Sequence, residues 1–514
     1  MRDSPVHSAE RLATGCLCAA IVAGPVALGG TPHWARLGLE AATATAILLW
    51  LVSGRRPLWL TALPLGIAAV ACLQIMPLPI GLLRWISPLS ASAWQTVATE
   101  GWGTVSVDPG STATAIRRLL LGLATVAAVA DLARQPSLRR WLMTAMATSA
   151  AVIWGLGLAF PVDPEQRILV GAVCLKGPIV FWKTEIEEPV QTAGTAQYDT
   201  VQVGDATYQM PAWTIGDGFG SYVISNHFAG AIGLTLPIAL ALWLFATRGQ
   251  LTDTIRYGGV AAAIAAAVWT TGWLADSRAG AAAVLFAGLI LLRLGAEGPR
   301  SKRIFTIAFC GYATLLILFC LAFFGPWRGI QPLLPEGLQW ALRTLRSDGR
   351  VAATRVAGQM LADSPLLGTG LDTFGELQPR YTGEAFMLHY AHNDYAQLLA
   401  ETGLVGGCIA LVLGGLLIAA GRRFQREATP PLRCLDAGPW AALSAIALHS
   451  AFDWNLHVPA NALLAEVAAG LAIASVAIPP LPAVVAANWL RRGLAGALAV
   501  SCVAAFVLLG RDAG

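Results

Sequence analysis

The sequence predicts an all-α fold, a polytopic bundle of about 12 or 13 transmembrane helices with a large, partly helical loop on one side. Two observations predict it. Of the 514 residues, 56% are hydrophobic and 12% are charged, and the mean hydropathy is +0.62. Apolar runs close to the roughly 20 residues that cross a bilayer recur from end to end. Because lipid cannot satisfy backbone polar groups, we expect these runs to be helices.

The candidate helices are the apolar runs between polar, charged or turn-forming stretches. The predicted spans cover residues 14–30, 37–53, 58–77, 111–130, 141–160, 221–246, 257–275, 279–295, 304–324, 395–420, 439–451, 461–478 and 494–510.

Arginine placement predicts the orientation of these spans. Short loops rich in arginine alternate with loops that carry few basic residues, and the positive-inside rule places the basic loops in the cytoplasm. The N-terminus is therefore predicted to be cytoplasmic, and the long loops at 78–110, 161–220 and 325–392 face outward. The basic loops contain Arg55 and Arg56; Arg134, Arg139 and Arg140; Arg248 and Arg256; Arg300, Lys302 and Arg303; Arg422, Arg423 and Arg426; and Arg491 and Arg492.

The long loops divide the chain into four regions. These are N-terminal transmembrane helices with two long loops over 1–220, central helices over 221–324, the large loop over 325–393, and C-terminal helices over 394–514.

His392 is the first candidate functional residue, because it lies where the large loop gives way to an apolar run. Asp394 and Gln397 have the spacing of a capping box, which predicts a helix that starts near Asp394. Beside the positive end of a helix, a histidine is disfavoured as a cation, which suits a general base. The alternative is an interfacial polar residue that caps the helix.

Arginines in the large loop form the second candidate group. Helical spacing predicts helices over 337–346 and 351–362, on the side where the positive-inside rule disfavours basic residues. Either these helices lie on the membrane surface, or their guanidinium groups bind an anion such as phosphate. Function is favoured most at Arg350, and the other arginines are Arg343, Arg346, Arg355 and Arg380.

Arg278 is a third candidate, since the apolar runs around Asp276-Ser277-Arg278 leave almost no loop. A charge at the membrane interface is costly and marks a functional site. The alternatives are a local pair with Asp276 or snorkelling to headgroups.

Polar residues at two other predicted outer ends face the same compartment. Asn226 and His227 open the sixth span, and Asp453 and His457 lie in the turn between the eleventh and twelfth. Taken singly, His227 and His457 are interpreted as structural, because polar residues often line contacts between helices.

The sequence favours neither a metal nor a nucleotide cofactor. No His/Cys cluster has zinc spacing, and no glycine-rich loop has the phosphate-binding pattern. Only Cys174 lies in a predicted outer loop, so no external disulfide is expected.

A histidine base, outward-facing arginines and flexible loops over a membrane bundle suit glycosyl transfer from a lipid-diphosphate sugar donor. Arginines would stabilise the departing diphosphate, and His392 would take the proton from an acceptor hydroxyl. A single displacement at the anomeric carbon would invert its configuration.

Short motifs also occur in a characteristic order between residues 221 and 478. They are SNHFAG at 225–230, SRAG at 277–280, GR at 349–350, DSPLLGTGLDTF at 363–374, HNDYAQLLAETGLVGG at 392–407 and DWNLHVPANALL at 453–464, and SVDPGSTATAIRR at 106–118 is also similar. As a set, they resemble the O-antigen ligase / O-antigen polymerase family of bacterial inner-membrane glycosyltransferases.

The resemblance implies a GT-C-like fold with a periplasmic active site, no metal, and an undecaprenyl-diphosphate-linked glycan donor. The acceptor would be a glycan, lipid A core or a protein, and no nucleic acid would take part. It implies that Arg278 contacts the diphosphate and that His392 is catalytic. Many members carry an arginine shortly before the Asn of the sixth span; here residues 223–225 are Val-Ile-Ser, so Arg350 is predicted to replace it. The predicted supporting or acceptor-side residues are Asn226, His227, Asn393, Glu401, Asp453, His457 and Arg355.

Several functions remain open at this point. The family divides into ligases, polymerases and protein O-oligosaccharyltransferases, and the sequence leans towards polymerisation or export-linked assembly of a polysaccharide. A secondary transporter, from a different class, would show paired hydropathy repeats around a midplane ion site. No convincing repeat is present, and its best support is Glu40 and Glu466, which lie inside apolar runs with no partner apparent in the sequence.

Overall fold

The computed structural model describes residues 5–54, 65–97, 101–159, 168–170, 173–175, 198–203, 206–211, 219–222, 224–324, 349–382 and 389–476. Within these ranges the chain forms sixteen α-helices and three two-stranded sheets. Nine of the helices in the described ranges are long and apolar enough to cross a membrane. The prediction of an all-α, polytopic helical bundle is confirmed.

The N-terminal region contains seven helices, several of which start at proline. α6 shows the local reason. The Asp108 carboxylate accepts hydrogen bonds from the backbone N–H groups of Gly110 and Ser111, at 2.9 and 3.2 Å. Pro109 follows at a helix position that needs no N–H donor. The helices are α1 (Pro5–Val26), α2 (His33–Val52), α3 (Leu65–Gln74), α4 (Ile80–Ile86), α5 (Pro88–Val97), α6 (Pro109–Leu132) and α7 (Pro136–Ala159).

The central region contains four helices: α8 (Ser225–Ala246), α9 (Asp253–Trp269), α10 (Arg278–Gly295) and α11 (Pro299–Phe324). α9 continues into a π-helical turn (Thr270–Leu274), and Ser277 then caps α10 by accepting a hydrogen bond from Gly280 N at 3.2 Å. The sharp turn between α9 and α10 places Arg278 in the first turn of α10, as the short predicted loop required.

The C-terminal region contains α12 (Gly349–Asp363), α13 (Phe374–Thr382), α14 (Asp394–Glu427), α15 (Pro430–His449) and α16 (Pro459–Ala474). α15 starts nine residues before the predicted span 439–451. The extra turns carry the buried Asp436, which pairs with Arg139 of α7. Hydropathy alone excludes these turns from the span because Asp436 is charged. The charge is tolerated in the helix because it is paired with Arg139, which is distant in the sequence.

α14 begins near Asp394 as predicted, but the predicted capping box is wrong by one residue. Asn393 is the cap, and its side-chain oxygen accepts hydrogen bonds from the N–H groups of Tyr395 (3.1 Å) and Ala396 (3.0 Å). Gln397 instead accepts from Ala391 N at 3.0 Å. The Asp394 side chain therefore does not cap the helix, and it contacts Ser450 and His457 instead.

Short strands occur in the long loops. β1 (Leu78–Pro79) pairs antiparallel with β2 (Trp102–Gly103) in the first of them. The loop at 161–220 contains two antiparallel hairpins that the sequence did not predict. They are β3 (Ile168–Val170) with β4 (Val173–Leu175), and β5 (Tyr198–Val203) with β6 (Ala206–Pro211).

The core of the bundle is built around α8, of whose apolar window 78% is buried. α15 packs closely against it, because Gly438 lies beside Pro237 and Ala241; a Cβ at Gly438 would lie 2.8 Å from the Cβ of Ala241. Small residues allow such close approach of helices in lipid. None of the apolar window of α11 is buried, so this helix lies at the periphery.

The loop between α12 and α13 forms backbone hydrogen bonds with α14 at the point where that helix is interrupted. At Gly403 the backbone has φ +66° and ψ −167°, a conformation that favours glycine. The break removes helical partners from nearby backbone groups, and the loop replaces them. The N–H groups of Thr369 and Gly370 donate to the carbonyls of Ala400 (3.2 Å) and Glu401 (3.1 Å), and those of Leu404 and Val405 donate to the carbonyls of Pro365 (2.8 Å) and Leu366 (3.2 Å).

Some predictions fall outside the described residues. These are the span at 494–510, the first part of the span at 58–77, and the helix at 337–346 with Arg343 and Arg346.

Candidate functional site

The predicted site residues that the structure describes converge at one end of the bundle. They lie near the N-terminal ends of α8, α10, α12 and α14 and in the turn that joins α15 to α16. The opposite ends of these helices carry the basic loops, with Arg248 after α8 and Arg423 near the end of α14. The site and the basic loops therefore lie at opposite ends, as the arginine pattern predicts.

Asp453 is the centre of the site. Its carboxylate is 1% exposed and has three imidazoles around it. Oδ1 lies 3.7 Å from His392 Nδ1 and 3.9 Å from His227 Nε2, and Oδ2 lies 4.0 Å from His449 Nε2. We call these four residues the histidine cluster. Its members come from α8, α15, the turn after α15, and the residue before the cap of α14.

Charge and burial set the state of Asp453. Burial disfavours its charged form, but the contact with His392 and the electrostatic effects of the surrounding histidines outweigh this and hold the pKa of Asp453 well below its usual range. Trp454 N also donates to Oδ1, at 2.8 Å. The carboxylate is thus ionised at neutral pH beside the imidazole of His392.

Several polar atoms of the histidine cluster have no hydrogen-bond partner among the described residues. Buried polar groups are normally paired, and exceptions mark functional sites. His392 also has φ +50°, in the left-handed region that non-glycine residues rarely adopt. Together these features suit a site that binds a polar ligand. The unpaired atoms are His227 Nε2, both ring nitrogens of His449, His392 Nδ1 and Asp453 Oδ2.

His457 belongs to a second polar group. Its Nδ1 lies 3.3 Å from Asp394 Oδ1, and its Nε2 lies 3.4 Å from Gln397 Nε2. Burial disfavours protonation, but the hydrogen bond with Asp394 and the charges of Asp394 and Glu401 outweigh it and raise the pKa of His457. Ser450 Oγ donates to the other Asp394 oxygen at 2.7 Å, which joins this group to the end of α15.

Glu401 is fully enclosed and bonded to backbone. Its carboxylate accepts hydrogen bonds from Asp372 N (2.9 Å) and Phe374 N (3.2 Å) at the start of α13, and from Gln397 Nε2 (3.0 Å). The structure therefore gives Glu401 a role in holding the loop before α13 against α14. Through Glu401, the segment DSPLLGTGLDTF is thus held against the segment HNDYAQLLAETGLVGG.

Two aromatic rings connect the two polar groups. Tyr390 and Trp454 stack with centroids 4.2 Å apart and planes at 20°. His227 meets Trp454 edge-on at 4.3 Å, and His457 lies 4.6 Å from Tyr390. The backbone carbonyl of His227 is held by Asn461 Nδ2 at 2.9 Å.

Arg278 and Arg350 lie outside the histidine cluster, on helix turns that pack against each other. The next residue after each, Ala279 and Val351, belongs to one apolar cluster with Phe452, adjacent to Asp453. The Arg278 side chain is 91% exposed, with Nε 3.9 Å from Asp276 Oδ1, so this pair is at most loose. Arg350 acts electrostatically on His449.

The remaining predicted residues are less closely involved. Asn226 is half-buried in the first turn of α8, and Asn393 is occupied by capping α14. Arg355 is exposed on α12. None of the three is shown in contact with the histidine cluster.

Sequence reasoning missed His449, Tyr390 and two arginines, Arg36 and Arg118. His449, Asp453 and His457 follow one another at intervals of four, a pattern that could have signalled His449. Arg118 ends the SVDPGSTATAIRR motif, and its Nη1 lies 3.7 Å from Asp372 Oδ2. No sequence signal joins Arg36 to Arg118, because their proximity depends on how α2 packs against α6.

The two acidic residues with no sequence partner each have neighbours. Glu40 forms an ion pair with Arg117 of α6. Glu466 of α16 packs against Gly122, where an added Cβ would lie 2.3 Å from Glu466 Oε1. In the described part of the chain, no group of three or more His, Cys, Asp or Glu side chains could hold a metal ion.

Comparison with known proteins supports the motif assignment. Residues 260–411 match the family model described as O-antigen ligase. This stretch includes Arg278, Arg350 and His392, and it confirms the family resemblance; SNHFAG and DWNLHVPANALL lie outside it. No curated protein matches the chain.

Proposed function

We propose a specific reaction for this multi-pass membrane protein, whose residues 260–411 match the model of the O-antigen ligase family. The family acts as a glycosyltransferase or ligase on lipid-linked glycans. The donor here is an undecaprenyl-diphosphate-linked glycan, and the acceptor supplies a hydroxyl group at the periplasmic face of a bacterial inner membrane. The reaction inverts the anomeric carbon and needs no metal, and the fold is GT-C-like.

The observation that carries the proposal is the contact of His392 with the ionised carboxylate of Asp453, adjacent to the apolar cluster in which the residues after Arg278 and Arg350 pack. Asp453 lies 3.7 Å from Nδ1 of His392, so Nε2 is available to a substrate. His392 takes the acceptor proton through Nε2, and Asp453 stabilises the imidazolium that forms. The acceptor oxygen bonds to the anomeric carbon as the bond from that carbon to the diphosphate oxygen breaks.

The departing diphosphate needs positive charge where its own charge develops. Arg278 supplies an exposed guanidinium at the capped N-terminus of α10, where the helix dipole also favours an anion. Arg350 approaches from α12, through the packing of Val351 with Ala279. Arg350 thus takes the place of the arginine that many family members carry before the sixth span.

The test is complementation of a deletion strain with His392→Ala and Arg278→Ala. We expect both variants to lose glycan assembly. The matched control is His389→Ala, which removes an exposed histidine from the same segment and leaves assembly intact. Normal surface glycan with both active-site variants, expressed at the wild-type level, would end the enzyme proposal.

The acceptor is read from what accumulates in the deletion strain. Single lipid-linked repeats indicate a polymerase, and polymer retained on undecaprenol indicates a ligase. Loss of glycan from proteins indicates an O-oligosaccharyltransferase. A reporter inserted within residues 337–346 tests the orientation: a periplasmic signal is expected, and a cytoplasmic one contradicts the site model.

A further inference from the structure

Three arginines, Arg36 of α2 with Arg117 and Arg118 of α6, lie where these two helices are joined by the ion pair between Arg117 and Glu40, which is one turn after Arg36. We call them the arginine group. Arg118 Nη1 lies 3.7 Å from Asp372 Oδ2, and the charges of Arg118, Glu40 and Asp372 act on Arg36. The arginine group therefore adjoins the Tyr390 end of the aromatic stack.

The three guanidinium groups are not equally neutralised. Arg117 is paired with Glu40 through both terminal nitrogens. Arg118 has only the 3.7 Å contact with Asp372, longer than a charge-assisted hydrogen bond. Arg36 forms no ion pair with any described side chain, and the Nε atoms of Arg36 and Arg118 are buried without a partner in the described ranges. Three guanidinium charges are thus balanced by two carboxylates, those of Glu40 and Asp372, and the charge of Arg36 is left uncompensated.

A guanidinium taken partly out of water beside a second guanidinium is unfavourable unless an anion joins them. We propose that Arg36 and Arg118 form a second anion subsite, which binds a phosphate group. This inference rests on the proposed function, because it places a second phosphate near the reacting His392.

Phosphate fits the arrangement better than a singly charged anion. Its several oxygens can accept from two guanidinium forks at once, and its second charge compensates Arg118 if Asp372 is displaced. Burial raises the pKa of Tyr390, so the phenol stays protonated and can donate a hydrogen bond to the same anion. Two sources carry this chemistry: a phosphate of the acceptor substrate, or the headgroup of a bilayer lipid.

The subsite uses different residues from the proposed donor site. Arg350 acts on His449, and Arg278 adjoins the Ala279–Val351 contact. The arginine group is instead connected to Trp454 through Tyr390.

The test measures binding of inorganic diphosphate to the purified full-length protein in dodecyl maltoside, a detergent without phosphate. Equilibrium dialysis should give two bound equivalents for the wild type. The double variant Arg36→Gln/Arg118→Gln should bind one. The control Arg423→Gln removes a charge at the opposite end of the bundle and should bind two.

Two further variants separate the possible outcomes. Arg36→Lys/Arg118→Lys keeps the charges and the fold but not the forks, and should weaken the second equivalent roughly tenfold or more. Arg278→Gln/Arg350→Gln tests the donor site independently: if it retains both equivalents while the Arg36/Arg118 variant loses one, the donor assignment fails and the subsite stands. Two equivalents in the Arg36→Gln/Arg118→Gln protein would overturn the subsite.

Repeating the dialysis in nanodiscs with phosphatidylglycerol identifies the source of the phosphate. If the second equivalent of diphosphate is displaced only in the bilayer, the natural occupant is a lipid headgroup. If it persists, the subsite belongs to a substrate phosphate.

Discussion

Replacing Asp453 by Asn tests whether the carboxylate assists His392. The substitution removes one charge and preserves shape, because the Asn side-chain oxygen can still accept from Trp454 N, which lies 2.8 Å from the present carboxylate. The carboxylate and His392 Nδ1 are 3.7 Å apart. At that separation and an effective dielectric constant of about 20, the interaction of the imidazolium with the carboxylate is about 4 kcal/mol. If this stabilisation exists only after His392 takes the proton, its loss slows the reaction by roughly 10³-fold.

The assay uses membranes from the complemented deletion strain, which contain the native donor and acceptor. For the proposed donor, the rate is the amount of undecaprenyl diphosphate released per unit time, measured by mass spectrometry and normalised to folded protein. Asp436→Asn is the matched control: it makes the same change at the other end of α15, where Asp436 pairs with Arg139. This control should lower thermal stability without slowing turnover per folded molecule. A folded Asp453→Asn protein that turns over at the wild-type rate would refute the role assigned to the carboxylate.

Three other predictions concern stability, each measured by thermal unfolding in detergent with size-exclusion detection. Gly403→Ala should lower the free energy of unfolding by about 1–3 kcal/mol, because the residue has φ +66° and an added Cβ would collide with Leu366 O. Gly414→Ala is the control and should leave stability unchanged, because no atom lies within 4 Å of the Cβ that it adds. Glu401→Ala should lower the free energy of unfolding by about 1–3 kcal/mol for each N–H left unpaired, at Asp372 and Phe374. The exposed Glu376→Ala is the control and should not lower it; an equal loss in both variants would contradict the hydrogen bonds described for Glu401. His457 has a raised pKa, so its pairing with Asp394 stabilises the fold fully below the unfolded pKa of about 6.5 and is lost as pH rises through the folded pKa. The stability difference between wild type and His457→Gln should therefore shrink as the pH rises above about 6.5.

The transporter alternative has its own test. Glu40→Gln is expected to leave glycan assembly measurable, since Glu40 already pairs with Arg117 in the structure. If Glu40→Gln abolished function while His392→Ala did not, a transport role would be favoured.

Local patterns were enough to predict much of this fold. Helix-length apolar runs identified the bundle, and the short loop before Arg278 identified a sharp turn between α9 and α10. The start of α14 was also predicted, although the cap is Asn393 because its side chain reaches the N–H groups two and three residues ahead. Each of these features is decided within a few residues of sequence.

The features that sequence could not predict depend on packing between distant segments. Hydropathy alone placed the start of this helix at residue 439, nine residues after α15 actually begins. The turns that it excluded contain Asp436, whose charge is unfavourable in an apolar helix unless Arg139 lies beside it. His227 and His457 were interpreted as structural one at a time, and only the fold shows His227 beside Asp453 and His457 beside Asp394. Arg36 could not be connected to the site from sequence, because its neighbours come from α6 and from the segments before α13 and α14.

The break at Gly403 has a consequence for biogenesis. A nascent α14 with this bend would carry bare carbonyls at Ala400 and Glu401 and bare amides at Leu404 and Val405, which lipid cannot satisfy. Residues 363–374, which satisfy them, are synthesised before α14 and are predicted to cross to the outer side first. On that predicted orientation, we expect insertion of α14 to be followed by docking of residues 363–374 against it, and His392 to reach its final position only after this docking.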